Sequence, residues 1–337
     1  MTKRTKRKFL LLFIIVIFIL VKTDVIKTNF FTDVKKSINA LKDNFQEVKD
    51  FIINDICNTS QTSTYNEKKL PTESSTEISV YEAMDGFFEI HFLDVGQADA
   101  ALVLCDNQAM LIDGGNIDDS SFIYAYLKEH KINYLDYVVC THPHEDHVGG
   151  LSGALNYAKA GIIYCPVTEF TENNCFDYFL KYIGKQELQI TVPSAGDTFS
   201  LGAATVTVLG PIEIKEGEDI NNASIVLRIE YGATSFLFTG DAEREAEERL
   251  LNSGCKLEST VLKVGHHGSS SSTTYPFLRE VMPQYAIISV GKNNEYGHPT
   301  DSVLSKLKDA GATVYRTDEC GSIICSSDGV SVNFQFE

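Results

Sequence analysis

The stretch THPHEDHVGG, from Thr141 to Gly150, carries three histidines and two carboxylates within six consecutive residues, followed by two glycines. The apolar run YLDYVVC precedes it and GGLSGALNYAKA follows it, which predicts a loop between the end of a strand and the start of a helix. Imidazole and carboxylate groups together suit Zn, Mn or Fe. The stretch therefore predicts a metal site, and the alternative of a metal-free histidine cluster does not account for the dense spacing. Gly149 and Gly150 are expected to let the backbone turn sharply after the ligands.

The spacing of these side chains is sufficient for two ions. His142 and His144 alternate along an extended loop, so both can reach the same side and hold one ion. Asp146 and His147 follow and can hold a second. Two ions about 3.5–4 Å apart can share a bridging hydroxide, which is a ready nucleophile. One loop cannot complete two coordination shells, so other parts of the chain must contribute.

Polar residues at the ends of other apolar runs are the candidates for that contribution. Asp113 ends QAMLID, Asp241 directly follows TSFLFTG, and His266 and His267 directly follow STVLKVG. His298 lies in the loop after QYAIISVG. Sites form where strands end at one edge of a sheet, so these residues are expected to meet the histidine cluster.

The fold class expected from Gly86 onward is α/β (α+β). Short apolar runs typical of strands alternate with stretches of helical spacing such as SSFIYAYLKEH and AEREAEERLLNSG. The first and middle parts of this region are rich in strands. This pattern predicts two mixed sheets packed face to face, with helices outside.

The N-terminus predicts a membrane segment. Basic residues precede thirteen unbroken apolar residues, Phe9 to Val21. We expect residues 1–26 to form a cytoplasmic basic end and a transmembrane anchor, 27–85 a stalk and Ser/Thr-rich linker, and 86–337 the domain that carries the predicted metal site. The protein is then a single-pass cell-membrane protein with an extracellular domain, because the positive end stays inside. A cleaved signal peptide, and hence a secreted protein, is the alternative.

The charge balance excludes a basic nucleic-acid groove. The chain has 29 Lys and Arg against 46 Asp and Glu, a formal net charge of −17. From Gly86 onward, 16 Lys and Arg face 35 Asp and Glu. A basic stripe is the usual mark of a duplex-binding surface, so a nucleic-acid substrate must be held in another way. Lys263, Lys292 and Arg316 are candidates for offsetting the acidic charge locally.

Six motifs resemble the hydrolase domain of ComEC-type competence proteins, within the metallo-β-lactamase superfamily. They occur in order from Phe92 to Pro299, as FLDVGQADA, LIDGG, THPHEDHVGG, LFTGDAE, VGHHGSSSS and VGKNNEYGHP. The resemblance implies an αββα sandwich, preceded here by the membrane segment, with two divalent ions (Zn or Mn) at one edge of the sheets.

The resemblance also implies a role for each matching residue. His142 and His144 would bind the first ion, Asp146 and His147 the second, and Asp241 would bridge the two. His267 is the expected remaining ligand of the second ion. His266 would orient the site or contact substrate, and His298 would be a ligand or would protonate a leaving oxygen, so Asp146, His266 and His298 are the catalytic candidates. Asp113 would position a ligating imidazole, and Asp94, Gln97 and Asp99 would line the same edge.

Two features depart from the family pattern. Ala98 stands in GQADA where the family often has glycine, which costs stability if this position needs a positive φ. Many superfamily members also supply a histidine before the TGD strand, whereas this chain has DINNASIVLRIEYG. The ComEC-type group resembles this chain in its asparagine-rich stretch, so this departure is from the wider superfamily only. Asp219, Asn221, Asn222 or water would replace the histidine. The first ion is then held more loosely, which favours exchangeable Mn over Zn.

The leading functional hypothesis is an exported, membrane-anchored binuclear metallohydrolase. Its substrate is expected to be a phosphodiester, and its nucleophile a metal-bound hydroxide. Hydrolysis of a small ester, lactone or thioester by the same site is the alternative, and a non-catalytic extracellular binding domain is a third reading. The sequence does not identify protein partners.

Overall fold

The computed structural model describes residues 86–337, which form two β-sheets and the helices outside them. The strands of the first sheet are β1 (Phe88–Phe92), β2 (Ala101–Cys105), β3 (Gln108–Ile112), β4 (Tyr134–Val139), β5 (Lys159–Tyr164), β6 (Ile190–Thr191), β14 (Ile323–Ser327) and β15 (Val332–Phe336). The second sheet contains β7 (Thr198–Leu201), β8 (Ala204–Gly210), β9 (Val226–Tyr231), β10 (Thr234–Phe238), β11 (Val261–Lys263), β12 (Tyr285–Ile288) and β13 (Thr313–Arg316). The strand orders are β15-β14-β1-β2-β3-β4-β5-β6 and β13-β12-β11-β10-β9-β8-β7.

The helices cover the outer faces of the two sheets. They are α1 (Ser120–Glu129), α2 (Glu145–Val148), α3 (Leu151–Tyr157), α4 (Cys175–Lys185), α5 (Arg244–Ser253), α6 (Tyr275–Val281), α7 (Asp301–Asp309) and α8 (Thr317–Cys320). Three short 3-10 turns lie between them, at Ile117–Asp119, Ile220–Ala223 and Gly265–Gly268. Helices α1, α3 and α4 share an apolar core with the first sheet, and α5, α6 and α7 share one with the second. The layers are therefore α/β/β/α, and the expected two-sheet sandwich is confirmed.

The central core lies between the sheets, and the strands that border it are buried on both faces. In β2, Leu102 and Leu104 face the helices, while Ala101, Val103 and Cys105 face the other sheet. This two-sided burial explains the nearly continuous apolar runs in the sequence.

Aromatic rings join the two sheets within this core. Phe88, which is 1% exposed, stacks at 4.8 Å on Tyr231 and at 4.9 Å on Phe236 from the opposite sheet. Truncation of such a phenylalanine to alanine typically costs about 3–5 kcal/mol.

Parallel pairing brings the ends of several strands to one edge. Strands β3, β4 and β5 are parallel in the first sheet, as are β10, β11 and β12 in the second. The residues that follow β3 and β4 therefore emerge together, and so do those that follow β10, β11 and β12.

The role expected of Gly149 and Gly150 is different in the structure. Their φ angles are −55° and −81°, which any residue adopts. Glycine is required there because other backbone comes very close. A Cβ on Gly150 would lie 1.9 Å from the Gly114 carbonyl oxygen, and one on Gly149 would lie 2.3 Å from the Ile117 nitrogen. The helix that follows the histidine cluster thus packs directly on the loop after β3.

Ala98 does not have a positive φ, so alanine causes no backbone strain there. Its side chain is fully buried. The expected membrane segment and the bounds 1–26 and 27–85 lie outside the described residues. Within residues 86–337, no helix has both the length and the apolar content that a membrane span requires.

Candidate metal centre

Loops that follow four strands build the centre. The loop after β4 carries His142, His144, Asp146 and His147, and the loops after β10 and β11 carry Asp241 and His267. Backbone hydrogen bonds hold these loops together. His266 N donates to the Gly240 carbonyl at 3.2 Å, and Asp113 N, at the end of β3, donates to the Val139 carbonyl at 2.8 Å.

Four side chains converge where the second ion was predicted. One ligand atom each from Asp146, His147, Asp241 and His267 lies within 4.8 Å of the other three. His147 Nε2 is 3.2 Å from Asp241 Oδ1, and His267 Nε2 is 3.2 Å from Asp146 Oδ2. These residues come from three separate loops, so the contact depends on the tertiary fold.

The residues predicted for the first ion lie beside His147, because the His142 ring is 4.1 Å from the His147 ring. His142 Nε2 is 3.1 Å from His144 Nδ1 and 3.9 Å from Asp241 Oδ2. Asp241 Oδ1 is 3.2 Å from His147 Nε2, and Oδ2 is also 3.7 Å from His267 Nε2 and 3.6 Å from His266 Nε2. This carboxylate therefore contacts His142 as well as the histidines of the second group.

The residues fit divalent metal. A tetrahedral ion with bonds of about 2.0–2.1 Å separates its ligands by roughly 3.3 Å, close to the shortest spacings above. His147 Nε2 and Asp241 Oδ1 are buried and lie 3.2 Å apart, but neither makes a hydrogen bond of good geometry among the described residues. Such groups are costly unless they are satisfied, and a cation between them would satisfy both.

Carboxylates behind the imidazoles fix their orientation. Asp113 accepts a hydrogen bond from His147 Nδ1 at 2.8 Å, and it also accepts from the Thr141 nitrogen and hydroxyl at 2.7 Å each. On the other side, His267 Nδ1 is 3.0 Å from the Ser289 carbonyl and 3.3 Å from Asp99 Oδ1. Both imidazoles thus direct Nε2 at the centre, as metal-ligating histidines do.

Lys263 does not face the cleft. It is 4% exposed, and its ammonium donates to Asp99 Oδ2 at 2.7 Å behind the ligands. Arg316 is paired with Asp318 and Glu319. Neither residue is therefore placed to attract a substrate phosphate. The expectation that Lys263 and Arg316 offset the acidic charge near the substrate is wrong.

Charges within the cluster set its protonation. Burial lowers the pKa of His142, and the nearby His147 lowers it further. Burial also acts to lower the pKa of His267, but Asp241, Asp99 and Asp146 outweigh it and raise that pKa to about 10. The same balance, dominated by Asp241 and Asp113, holds the pKa of His147 well above its usual range. Without metal, protonated imidazoles therefore neutralise the carboxylates.

A cleft of about 390 Å³ opens above the ligands. Among the predicted residues, Gln97, His144, Asp146, Asp241, His266, His267 and His298 line it. The His298 ring lies 5.8 Å from His266 and 5.7 Å from Tyr296, and His298 is not in the four-residue ligand group. Burial and the neighbouring His266 lower its pKa, so His298 is a neutral side chain on the cleft wall.

His266 and His267 adopt a strained backbone. Their φ angles are 49° and 51°, in the left-handed region that bulky residues avoid. Each such residue costs roughly 1–3 kcal/mol, and this kind of strain clusters at functional sites. The conformation points His267 into the centre while His266 lies beside it, 3.3 Å from Glu243.

Two of the predicted edge residues lie elsewhere. Asp94 accepts a hydrogen bond from Gly96 N and does not line the cleft. Asn222 accepts from the Glu243 and Ala246 nitrogens, so its oxygen holds the start of α5. The neighbouring Asn221 lines the cleft instead.

Several lining residues were not expected from the sequence: Phe170, Glu172, Asn173 and Tyr296. Phe170, Glu172 and Asn173 belong to the irregular segment between β5 and α4. This segment has no periodic sequence pattern from which the direction of its side chains could be predicted. Asn173 Nδ2 donates to the Pro143 carbonyl at 3.0 Å, which ties this segment to the histidine loop. Tyr296 lies beside His298 in the GKNNEYGHP loop. This motif was noted in the sequence and could have indicated Tyr296 as a lining residue.

Residues 93–292 match the model of the metallo-beta-lactamase superfamily. Among curated proteins, the chain is 32% identical over 262 residues to ComE operon protein 3 of Bacillus subtilis, covering 72% of this chain and 34% of that protein. It is 34% identical over 232 residues to competence protein ComA of Neisseria gonorrhoeae, covering 68% and 31%. The chain thus spans about a third of the length of these relatives. The crystal structure of the metallo-beta-lactamase fold protein YhfI from Bacillus subtilis superposes with a TM-score of 0.49 at 15% identity, over 71% of this chain and 100% of that one.

Proposed function

Because this chain belongs to the metallo-beta-lactamase superfamily and is a metal-dependent hydrolase, we propose that it is a binuclear phosphodiesterase. The observation that carries the proposal is that Asp241 contacts both His142 and His147 where it lines an open cleft. Two-metal sites occur in phosphatases, polymerases and nucleases, and also in aminopeptidases, so the substrate class is tested below.

Six residues would hold the two ions: His142, His144, Asp146, His147, Asp241 and His267. When bound, divalent ions supply Lewis acidity toward the phosphoryl oxygens and a more acidic water as the source of the nucleophile. Asp113 keeps the Nδ1 proton of His147 directed away from the centre, and Ser289 and Asp99 do the same for His267. Both imidazoles then present a lone pair in a fixed direction.

Residues of the cleft would contact the substrate beyond the ions. His266 and His298 lie side by side on one wall, with Tyr296, which is 72% exposed, stacked on His298. We assign His298 to the substrate side because its ring packs against His266 and Tyr296, whereas a nitrogen of each of His142, His147 and His267 lies within 3.9 Å of Asp241. This position favours a contact with the leaving group over a ligand role. Tyr296 offers a ring face on which an aromatic part of the substrate can stack.

Nucleic acid is the substrate class that the relatives favour, since one of them is named Recombination protein 2, from Haemophilus influenzae. The cleft has no Lys or Arg among its described lining residues. A phosphodiester would therefore be held by the ions and by ring contacts. A short or single-stranded substrate, with its bases accessible, suits such a cleft better than a duplex does.

A small neutral ester, lactone or thioester is the second candidate. Glu145 and Glu172 line the cleft, and no Lys or Arg is among the described lining residues. These carboxylates repel a negatively charged phosphodiester but not a neutral ester. The same ligands suit the hydrolysis of either class.

One assay separates the two candidates. The purified full-length chain is loaded with Mn or Zn and offered bis-p-nitrophenyl phosphate and single-stranded DNA, beside a lactone and a β-lactam. Turnover of the first two supports the phosphodiesterase. Turnover of the lactone alone replaces it by the small-ester hydrolase. Asp146→Ala is the control for both, because loss of this ligand should abolish metal-dependent turnover.

The location outside the cell is part of the proposal. The basic N-terminus followed by Phe9 to Val21 supports an anchor with its positive end inside. Protease added to intact cells should then release the domain. If the domain resists protease completely until the cells are lysed, the domain lies inside the cell and the proposed orientation is wrong.

A further inference from the structure

The side-chain oxygen of Asn221 is buried beside the candidate centre without a partner. Asn221 is 6% exposed, it lines the cleft, and its Oδ1 has no hydrogen-bond partner among the described residues. Its backbone is fully engaged, since Asn221 N donates to Asp219 Oδ1 at 2.9 Å and the carbonyl accepts from Ser224 N at 3.0 Å. A buried amide oxygen without a partner is destabilising, so it calls for a ligand.

Two hydrogen bonds tie the segment that follows this asparagine to the centre, and Asn221 lines the cleft together with His144 and Asp241. The segment that follows it is anchored by Ile225 N, which donates to the Thr141 carbonyl at 2.8 Å, directly before His142. Asp241 N donates to Ser224 Oγ at 3.0 Å. The two residues that follow the 3-10 turn Ile220–Ala223 are therefore bonded to Asp241 and to the residue that precedes His142.

The neighbouring polar side chains cannot take the same role. The Asn222 oxygen already accepts from Glu243 N at 3.1 Å and from Ala246 N at 3.2 Å. Asp219 is exposed, its Oδ1 caps the turn, and it does not line the cleft. Of the three candidates for the histidine that the wider superfamily supplies before the TGD strand, Asn221 alone offers an unengaged oxygen to the cleft.

We propose that Asn221 Oδ1 is a ligand of the ion held by His142 and His144, in the position of that superfamily histidine. The inference rests on the two-ion centre proposed above, but not on the substrate. With Asp241, the first ion would then have two nitrogen and two oxygen ligands from the protein.

The exchange of imidazole for an amide oxygen changes which metal is favoured. Amide and carboxylate oxygens are hard ligands that suit Mn and Mg, whereas imidazole suits Zn. The first position is therefore expected to bind Mn in preference to the tightly held Zn of a histidine-rich site, and to release its ion more readily than the second.

Metal titration of the full-length chain tests the proposal without reference to activity. The protein is stripped with chelator and titrated with Mn by calorimetry and by electron paramagnetic resonance. Asn221→Ala should retain one ion and weaken the other by at least the roughly 10–100-fold that loss of a ligand-orienting residue costs. The Tm of the metal-free variant should be unchanged or higher, because an unpartnered oxygen has been removed.

Asn222→Ala is the matched control in the next position of the same turn. It should lower the metal-free Tm, since α5 loses its cap, while both ions remain bound. The two adjacent substitutions therefore have opposite signatures.

Two further variants keep the test decisive if Asn221→Ala does not fold. Asn221→Asp keeps the shape and adds a charge, so it should tighten the first ion. Asn221→His should raise affinity for Zn relative to Mn. The proposal is overturned if Asn221→Ala binds both ions with wild-type affinity. It is also overturned if Asn221→Asp binds both ions with wild-type affinity and Asn221→His keeps the wild-type metal preference. Neither outcome depends on which substrate the enzyme hydrolyses.

Discussion

At the scale of single residues, the centre depends on carboxylates that do not face the cleft. Asp113 and Asp99 lie behind His147 and His267, and each holds the far nitrogen of its imidazole. Such partners fix the ring direction, and their mutation typically costs about 10–100-fold in metal affinity.

Asp113→Asn should therefore weaken metal binding by roughly 10–100-fold while the fold remains. The amide cannot accept from both His147 Nδ1 and the Thr141 nitrogen and hydroxyl as the carboxylate does. Metal content after dialysis, measured by mass spectrometry, checks this. Asp136→Asn is the control, because Asp136 also accepts a backbone N–H, from Ala109, but lies away from the centre. Equal metal loss in the two variants would contradict the assignment.

Metal binding should strengthen as pH rises. The carboxylates raise the pKa of His267 from its ordinary 6.5 to about 10 in the metal-free protein. Its protonated form therefore stabilises the fold fully below about pH 6.5, and this contribution is lost as pH rises through about 10. An ion that takes Nε2 must displace this proton.

Calorimetry in buffers of different ionisation enthalpy should accordingly report proton release, with apparent affinity rising between about pH 6.5 and 8.5. His267→Ala should release fewer protons on loading. Affinity that does not change with pH would show that these imidazoles are already neutral.

At the scale of elements, one asparagine couples a helix to the metal loop. Asn173 Oδ1 accepts from Cys175 N at 3.0 Å and Phe176 N at 3.2 Å, at the start of α4. Its Nδ2 donates to the Pro143 carbonyl, between His142 and His144. The helix start and the loop of the first ion are thus held by one side chain.

Asn173→Ala should lower the free energy of unfolding by about 0.5–2 kcal/mol, the cost of losing a helix cap. It should also weaken the ion held by His142 and His144 more than the other. Chemical denaturation and metal titration measure the two effects. Asn174→Ala is the neighbouring control, since that side chain makes no capping hydrogen bond. A stability loss with both metal affinities intact would leave Asn173 with a role in α4 only.

At the scale of the whole molecule, charge limits how a polyanion can bind. The chain carries a formal net charge of −17, and the cleft is acidic at its rim. Long-range attraction of nucleic acid is therefore absent, and affinity must come from contact at the centre.

Binding of single-stranded DNA should be weak without metal and should depend little on salt. We expect a slope of log K against log salt of magnitude below about 2, because few Lys and Arg neutralise phosphates. Fluorescence anisotropy over a range of salt concentrations, with and without Mn, measures it. A slope as steep as that of a basic groove would show that a cationic surface of the protein binds the DNA.

Local spacing was enough to predict part of the centre. His142, His144, Asp146 and His147 lie within six residues, so short-range geometry alone places them together. Asp113, Asp241 and His267 could be found because each follows an apolar run, and parallel strands end at a common edge. The resemblance to the superfamily is confirmed over residues 93–292, and the two-sheet sandwich follows from the same alternation of runs.

Only the tertiary structure decided the rest, because those features depend on which chain segments meet. The sequence left Asp219, Asn221 and Asn222 equivalent, and the hydrogen bonds of α5 distinguish them. Gly150 is required by the approach of Gly114, 36 residues earlier in the chain, and not by its own φ. Lys263 faces Asp99 because the two sheets close on each other, a contact between residues 164 positions apart that no local pattern encodes.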